Sequence, residues 1–185
     1  MKRLDPKRSV VLVVDVQERL VAAMPPDAMT ALTRAANILL EAASALGVHV
    51  IATEQYPQGL GPTVPTLREK LTAAGAPILE KVEFAAVEAP GFSAAWEATK
   101  GRTAIVLGME THVCVFQTVR ELAQRGVEVH VPIDGVASRR DDHRQVGLEL
   151  CRAAGATVTT AETVVFDWLA RAGGDAFKRI SKAVR

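Results

Sequence analysis

The sequence predicts an α/β fold, a three-layer α/β/α sandwich around a six-stranded, mostly parallel sheet. Three observations carry that expectation. Short, nearly unbroken runs of Val, Ile and Leu alternate with stretches of helical period, the alternation of a parallel sheet with crossover helices. Gly47, Gly75, Gly126 and Gly155 each follow a helical stretch, where helix C-termini favour glycine. Neither an internal repeat nor a low-complexity linker interrupts the chain, so residues 1–185 are expected to form one domain.

The first strand, Ser9 to Val14, is a run of Val and Leu suited to burial on both faces, and it ends in Asp15-Val16-Gln17. Met24-Pro25-Pro26-Asp27 breaks the chain, and Asp27 is the expected N-cap of a helix over 28–46. Leu32, Ala35, Ala36, Leu39, Leu40, Ala43 and Leu46 supply its apolar face. Val48 to Thr53 is the second strand. Glu54 to Pro62, rich in Gly and Pro, reads as a loop at its end, with Gln55 and Tyr56 available for contacts. A helix over 64–74 leads to a third strand, Pro77 to Lys81, and Pro90-Gly91 opens a helix to Thr99. Arg102 to Met109 is the fourth strand, and a helix over 113–125 carries Cys114 at its start. The fifth strand is Val127 to Val131, and Asp134-Gly135 turns into a helix over 141–154. Ala156 to Thr159 is the sixth strand, followed by helices over 162–170 and 175–184. His130 and His143 are far apart in this scheme and read as structural or surface residues.

Composition excludes several classes. Hydrophobic residues make up 49% and charged residues 23%, ordinary for a globular chain, so disorder is not expected. The formal net charge is +1 and the basic residues are scattered, so neither nucleic acid nor a membrane surface is an expected partner. Arg139-Arg140 is balanced at once by Asp141-Asp142. The two cysteines form no CxxC or Cys/His cluster that would hold zinc, and no metal site is expected. Together with the lack of a signal-like or membrane-spanning apolar run, they suggest the cytoplasm.

Four groups fall at the C-terminal ends of predicted strands: Asp15, the Gln55 loop, Lys81 and Cys114. If the strand order reverses between the first and fourth strands, these ends converge on one crevice, where open α/β sheets bind ligands. Read alone, Cys114 fits a buried structural cysteine better than a nucleophile, and Lys81 a solvated charge. Together they have a shared chemistry. A carboxylate can take the thiol proton, and an ammonium beside it holds the carboxylate and adds positive potential. The free N–H groups of a helix N-terminus would lower the pKa of Cys114 and could hold an oxyanion. Attack on a carbonyl then gives a thioester that water hydrolyses, with no cofactor.

The residues also carry a resemblance. Val13-Val14-Asp15-Val16-Gln17, then Lys81 after the third strand, then Gly108-Met109-Glu110-Thr111-His112-Val113-Cys114-Val115 resemble the isochorismatase-like cysteine hydrolases, in the same order over nearly the whole chain. Thr53-Glu54-Gln55-Tyr56-Pro57-Gln58-Gly59-Leu60-Gly61 and Thr159-Thr160-Ala161-Glu162-Thr163-Val164-Val165-Phe166 are similar to the isochorismatase domain-containing subgroup. The resemblance implies a Rossmann-like strand order 3-2-1-4-5-6. It also implies Cys114 as nucleophile, Asp15 as general base and Lys81 as third triad member. A cis peptide between Met109 and Glu110, backbone N–H groups of Glu110 and Cys114 as oxyanion hole, and a homo-oligomer follow from it too. By position, Gln17, Gln55, Tyr56, Phe84 and His112 would line the substrate pocket.

Two departures narrow the implied chemistry. Nicotinamidases of the superfamily carry a metal-binding Asp-x-His-type motif after the second strand, where this chain reads Glu54-Gln55-Tyr56-Pro57. True isochorismatases cleave a vinyl ether without a cysteine, so Cys114 favours a small-molecule amide, carbamoyl or related acyl substrate. A binding or scaffold protein of the same fold is the competing reading. A thiol redox role for Cys114 and Cys151 ranks third, since the two stand in separate predicted helices.

Overall fold

The computed structural model describes residues 2–185. Its centre is β1 (Ser9–Val14), buried along its whole length. Parallel strands flank it on both sides: β2 (His49–Gln55) and β3 (Ile78–Lys81) on one, β4 (Thr103–Met109), β5 (Glu128–Pro132) and β7 (Thr157–Thr159) on the other, in the order β3-β2-β1-β4-β5-β7. The order reverses between β1 and β4, the switch point at which open α/β sheets place their ligands.

The sheet has one more strand than the sequence suggests. β6 (Val136–Ala137) pairs with the last two residues of β4, beyond the point where β5 has left it. Two residues are too few to show a period, and the sequence there reads only as a turn.

Alternation along β1 feeds two cores. Val11 and Val13 face α2 (Pro26–Leu46), α4 (Pro65–Ala73), α8 (Ala161–Leu169) and α9 (Gly174–Val184). Val10, Leu12 and Val14 face α5 (Phe92–Thr99), α6 (Phe116–Gln124) and α7 (Asp141–Ala153). Each fully buried Val or Leu side chain contributes about 1.5–3 kcal/mol of burial.

Two local expectations are corrected and one element is added. Asp27 is not the N-cap of α2: the helix begins at Pro26, with Pro25 before it, and Asp27 lies in the first turn, where a carboxylate still suits the positive end of the dipole. The stretch 54–62 is only partly loop. β2 continues through Gln55, and Pro57–Leu60 forms a short helix, α3. A second short helix, α1 (Glu18–Val21), follows β1.

The pocket wall formed by residues 56–64 is fastened down rather than free. Gln17 and Thr63 form an isolated antiparallel bridge, Glu18 N–H donates to Pro62 O, and Val64 N–H to Val16 O. Below, the buried Glu54 carboxylate accepts from Thr63 N–H and Arg68 Nη1, each at 2.6 Å.

Candidate active site

Asp15 is the first residue past β1. Its backbone is left-handed, with φ 53°, a conformation that Asp tolerates better than most residues. Its N–H donates to Thr53 O at 3.1 Å. Next door, Gly108 on β4 pairs with Val14, and a Cβ there would overlap the Val14 carbonyl. That missing side chain lets β4 approach the end of β1 and brings the Met109–Glu110 corner beside Asp15.

Lys81 is the last residue of β3, two strands away. Neighbouring strands stand about 4.8 Å apart, so its ammonium must pass the end of β2 to reach β1. It does so: Lys81 Nζ lies 2.6 Å from Asp15 Oδ2, and both side chains are 0% exposed. Burying such a pair costs several kcal/mol per ion unless every remaining hydrogen-bonding position is used. Here the three ammonium protons have three acceptors: Asp15 Oδ2, Gln55 Oε1 at 2.8 Å and Glu83 O at 3.2 Å. Asp15 Oδ1 accepts from the Thr53 hydroxyl at 2.7 Å. The network is complete on both ions, which rigidifies it.

Gln55 and Gln17 tie this network to the pocket wall. The Gln55 amide bridges Lys81 and Val82 O, and its backbone N–H and C=O are both held by the Gln17 side chain. Gln17 donates a second time, to Gly61 O. With both amide protons committed and no exposed surface, Gln17 acts as a pin beneath the wall, and the expectation that it contacts substrate is corrected.

Cys114 lies in a π-helical turn, Thr111–Val115, which runs straight into α6. The turn follows a cis peptide between Met109 and Glu110. Glu110 organises the corner. Its carbonyl accepts from Val113 N–H (3.0 Å) and Val115 N–H (3.2 Å), its N–H is near enough to the Cys114 sulfur to act on its pKa, and its carboxylate takes Arg139 N–H and Nε. The Asp15 carboxylate lies beside the thiol and acts on it directly. Its acidity differs from the expectation for a helix N-terminus. Burial, and then the Asp15 charge, push the Cys114 thiol up to about 12, outweighing Lys81 and the Glu110 N–H, which act the other way. The cysteine precedes α6 inside a continuous turn, and it is 6% exposed.

The remaining predicted positions separate. Tyr56, with φ 37°, and Lys81 border a cavity of about 370 Å³ together with Pro57, Gln58, Val82 and Pro90. Phe84 is half-exposed and does not border that cavity. His112 Nδ1 is 3.1 Å from Ser138 Oγ, and its ring meets that of His143 at 4.8 Å between centroids. Burial lowers the pKa of His112, opposed by the Glu110 charge and reinforced by His143 and Arg139. His143 is on the surface, as expected, yet next to the candidate site. Sequence reasoning missed Thr53, Ser138 and Arg139. Only Thr53 left a signal: it alternates with Gln55 on one face of β2. Among the described residues, no group of three His, Cys, Asp or Glu side chains is arranged to hold a metal ion.

Residues 9–163 match the family model described as the isochorismatase domain. Isochorismatase domain-containing protein 2 of Bos taurus is 38% identical over 148 residues, which span 80% of this chain and 70% of the bovine protein. Among solved structures, the MAR1 ribonuclease of Caenorhabditis elegans superposes with a TM-score of 0.90 at 34% identity, covering 99% of this chain and 92% of that one. YcaC of Pseudomonas aeruginosa, in a structure with hexane-2,5-diol and covalent acrylamide, superposes with a TM-score of 0.90 at 25% identity, covering 98% and 91%.

Proposed function

The chain belongs to the isochorismatase family of hydrolase-like proteins, and from that footing we propose that it hydrolyses a small-molecule amide, carbamoyl or related acyl C–N bond through a thioester on Cys114. The observation that carries this reading is the fully buried Lys81–Asp15 pair, whose carboxylate stands beside the Cys114 thiol. An inert core cysteine has no need of such a pair.

The acidity of the thiol decides how it reacts. With burial and the Asp15 charge pushing its pKa up to about 12, the thiol holds very little preformed thiolate at pH 7. The proton therefore leaves as the sulfur attacks, and Asp15 is the neighbouring base. Sulfur bonds to the carbonyl carbon and the thiol proton passes to Asp15. The tetrahedral oxyanion is met by the N–H groups of Glu110 and Cys114. As the C–N bond breaks, the leaving nitrogen takes the proton from Asp15. Water then attacks the thioester, giving a proton to Asp15, and the C–S bond breaks as the sulfur recovers its proton. Lys81, with its three protons committed, holds the Asp15 carboxylate in place and balances its charge. No step needs a metal or cofactor.

The covalent acrylamide held by the related YcaC, a small amide, supports an accessible nucleophile in this fold. Tyr56, Gln55 and His112 are the proposed substrate contacts. Tyr56 and Phe84 are large apolar side chains left exposed, which suits a second copy of the chain, so a homo-oligomer belongs to the same reading. So does a cytoplasmic location, since both cysteines are free thiols.

The test is a panel of small amides and carbamoyl compounds, with RNA as a further arm because the worm relative is named a ribonuclease. The expected result is amine or ammonia release with an acyl mass on the Cys114 peptide after acid quench. Release without that mass, RNA cleavage alone, or binding without turnover would overturn the reading in favour of another chemistry or a scaffold.

A further inference from the structure

The helix behind the cysteine turn carries a glycine at its centre. Gly147 is buried within α7, next to Leu148. Glycine there weakens the helix relative to alanine, and the residue keeps ordinary helical geometry, so backbone conformation does not call for it. Space does. A Cβ at 147 would stand 2.7 Å from His112 N, 2.8 Å from Thr111 C and 2.9 Å from His112 Cα. All three are backbone atoms of the turn that carries Cys114, so no side-chain rotation can make room.

The same turn is also held by Glu110, whose carbonyl accepts from Val113 N–H and Val115 N–H. The turn is thus clamped between the Glu110 corner and the bare backbone of α7. We propose that Gly147 is a positioning residue. It sets how deeply the Thr111–Val115 turn sits, and with it the placement of the Cys114 sulfur against the Asp15 carboxylate and the Glu110 N–H. The functional consequence rests on Cys114 being the nucleophile; the placement itself does not.

The test is the rate of Cys114 alkylation by iodoacetamide between pH 6 and 9, with the product located by peptide mass. Gly147→Ala is compared with the parent and with Val146→Ala, an exposed change on the same helix. A displacement of about 1 Å can cost about 100-fold in rate, so Gly147→Ala is expected to slow Cys114 roughly 10- to 100-fold near neutrality, while Val146→Ala follows the parent. Leu148→Ala, which withdraws a buried anchor of α7, is the second variant and is expected to give a smaller change of the same sign. It replaces Gly147→Ala should that chain not fold. A Gly147→Ala profile that superimposes on the parent, or a Leu148→Ala profile that does so in its place, overturns the proposal. Should the parent Cys114 titrate as a plain thiol, the hydrolase reading fails. An altered titration in Gly147→Ala would then still support the placement.

Discussion

Cys114 and Cys151 make a natural control for each other. Both are free, both lie in helical segments on the same side of the sheet, and burial pushes both thiols up to about 12. Their neighbours differ. Cys151 has only the charge of Arg152 acting on it besides burial. Cys114 has Asp15, Lys81 and the Glu110 N–H. The pair teaches that acidity alone does not set the two cysteines apart: what separates them is a neighbouring carboxylate held in place by a counter-charge, which the proposed reading takes as the base.

The strongest way to break that comparison is to remove each sulfur in turn. Cys114→Ser is expected to lower amide hydrolysis by roughly 1,000-fold or more, and Cys151→Ser to leave the rate within a few fold of the parent, measured as amine release per folded chain. Equal losses would mean that the contacts around Cys114 do not matter.

Next in size is the ion pair. Lys81→Met strands a buried carboxylate, and urea unfolding should show a loss of about 3–5 kcal/mol. The double variant Asp15→Asn with Lys81→Met should recover part of it, because no buried charge is then left alone. A double variant less stable than Lys81→Met would argue that the pair is not coupled.

A smaller effect is expected where the wall meets the network. Gln17→Leu keeps the volume but strands the backbone groups of Gln55 and Gly61, at about 1–3 kcal/mol for each group left unpaired. Hydrolysis should fall through KM more than through kcat, since the wall and not the thiol is released.

A further effect concerns stability in alkali. Each thiol titrates higher folded than unfolded, so the folded state keeps its protons while the unfolded state loses them. Stability is full below about 9 and declines as pH rises from 9 towards 12. Cys151→Ala should flatten that slope without abolishing it, since Cys114 contributes the rest; an unchanged slope would remove Cys151 from the account.

Much of this arrangement could be read from the sequence because its signals are local. The Val-rich run of β1, the strand–helix alternation and the polar residues at strand ends are all visible residue by residue. The convergence of Asp15, Lys81 and Cys114 followed from placing those ends on one sheet. What escaped is set by tertiary approach. The Thr111–Val115 turn reads as an ordinary helix start, because its π geometry depends on the Glu110 corner and on α7. Gln17 looks like a pocket residue until the backbone groups it holds are known. Thr53 passes for a strand residue, and β6 is a two-residue pairing that only the end of β4 makes possible.

The most direct measurement is the pH dependence of alkylation at Cys114, with Cys151 as reference in the same sample, for the parent and for Asp15→Asn. A thiol that ionises unaided reacts about tenfold faster per pH unit well below its pKa. The account predicts that slope for Cys151, and a nearly flat profile for Cys114 between pH 6 and 8, where Asp15 takes the proton. In Asp15→Asn, Cys114 should regain the tenfold slope and titrate lower, because the charge that raises it is gone. Parallel tenfold slopes for both cysteines in the parent, unchanged in Asp15→Asn, would contradict the claim that Cys114 is activated in place.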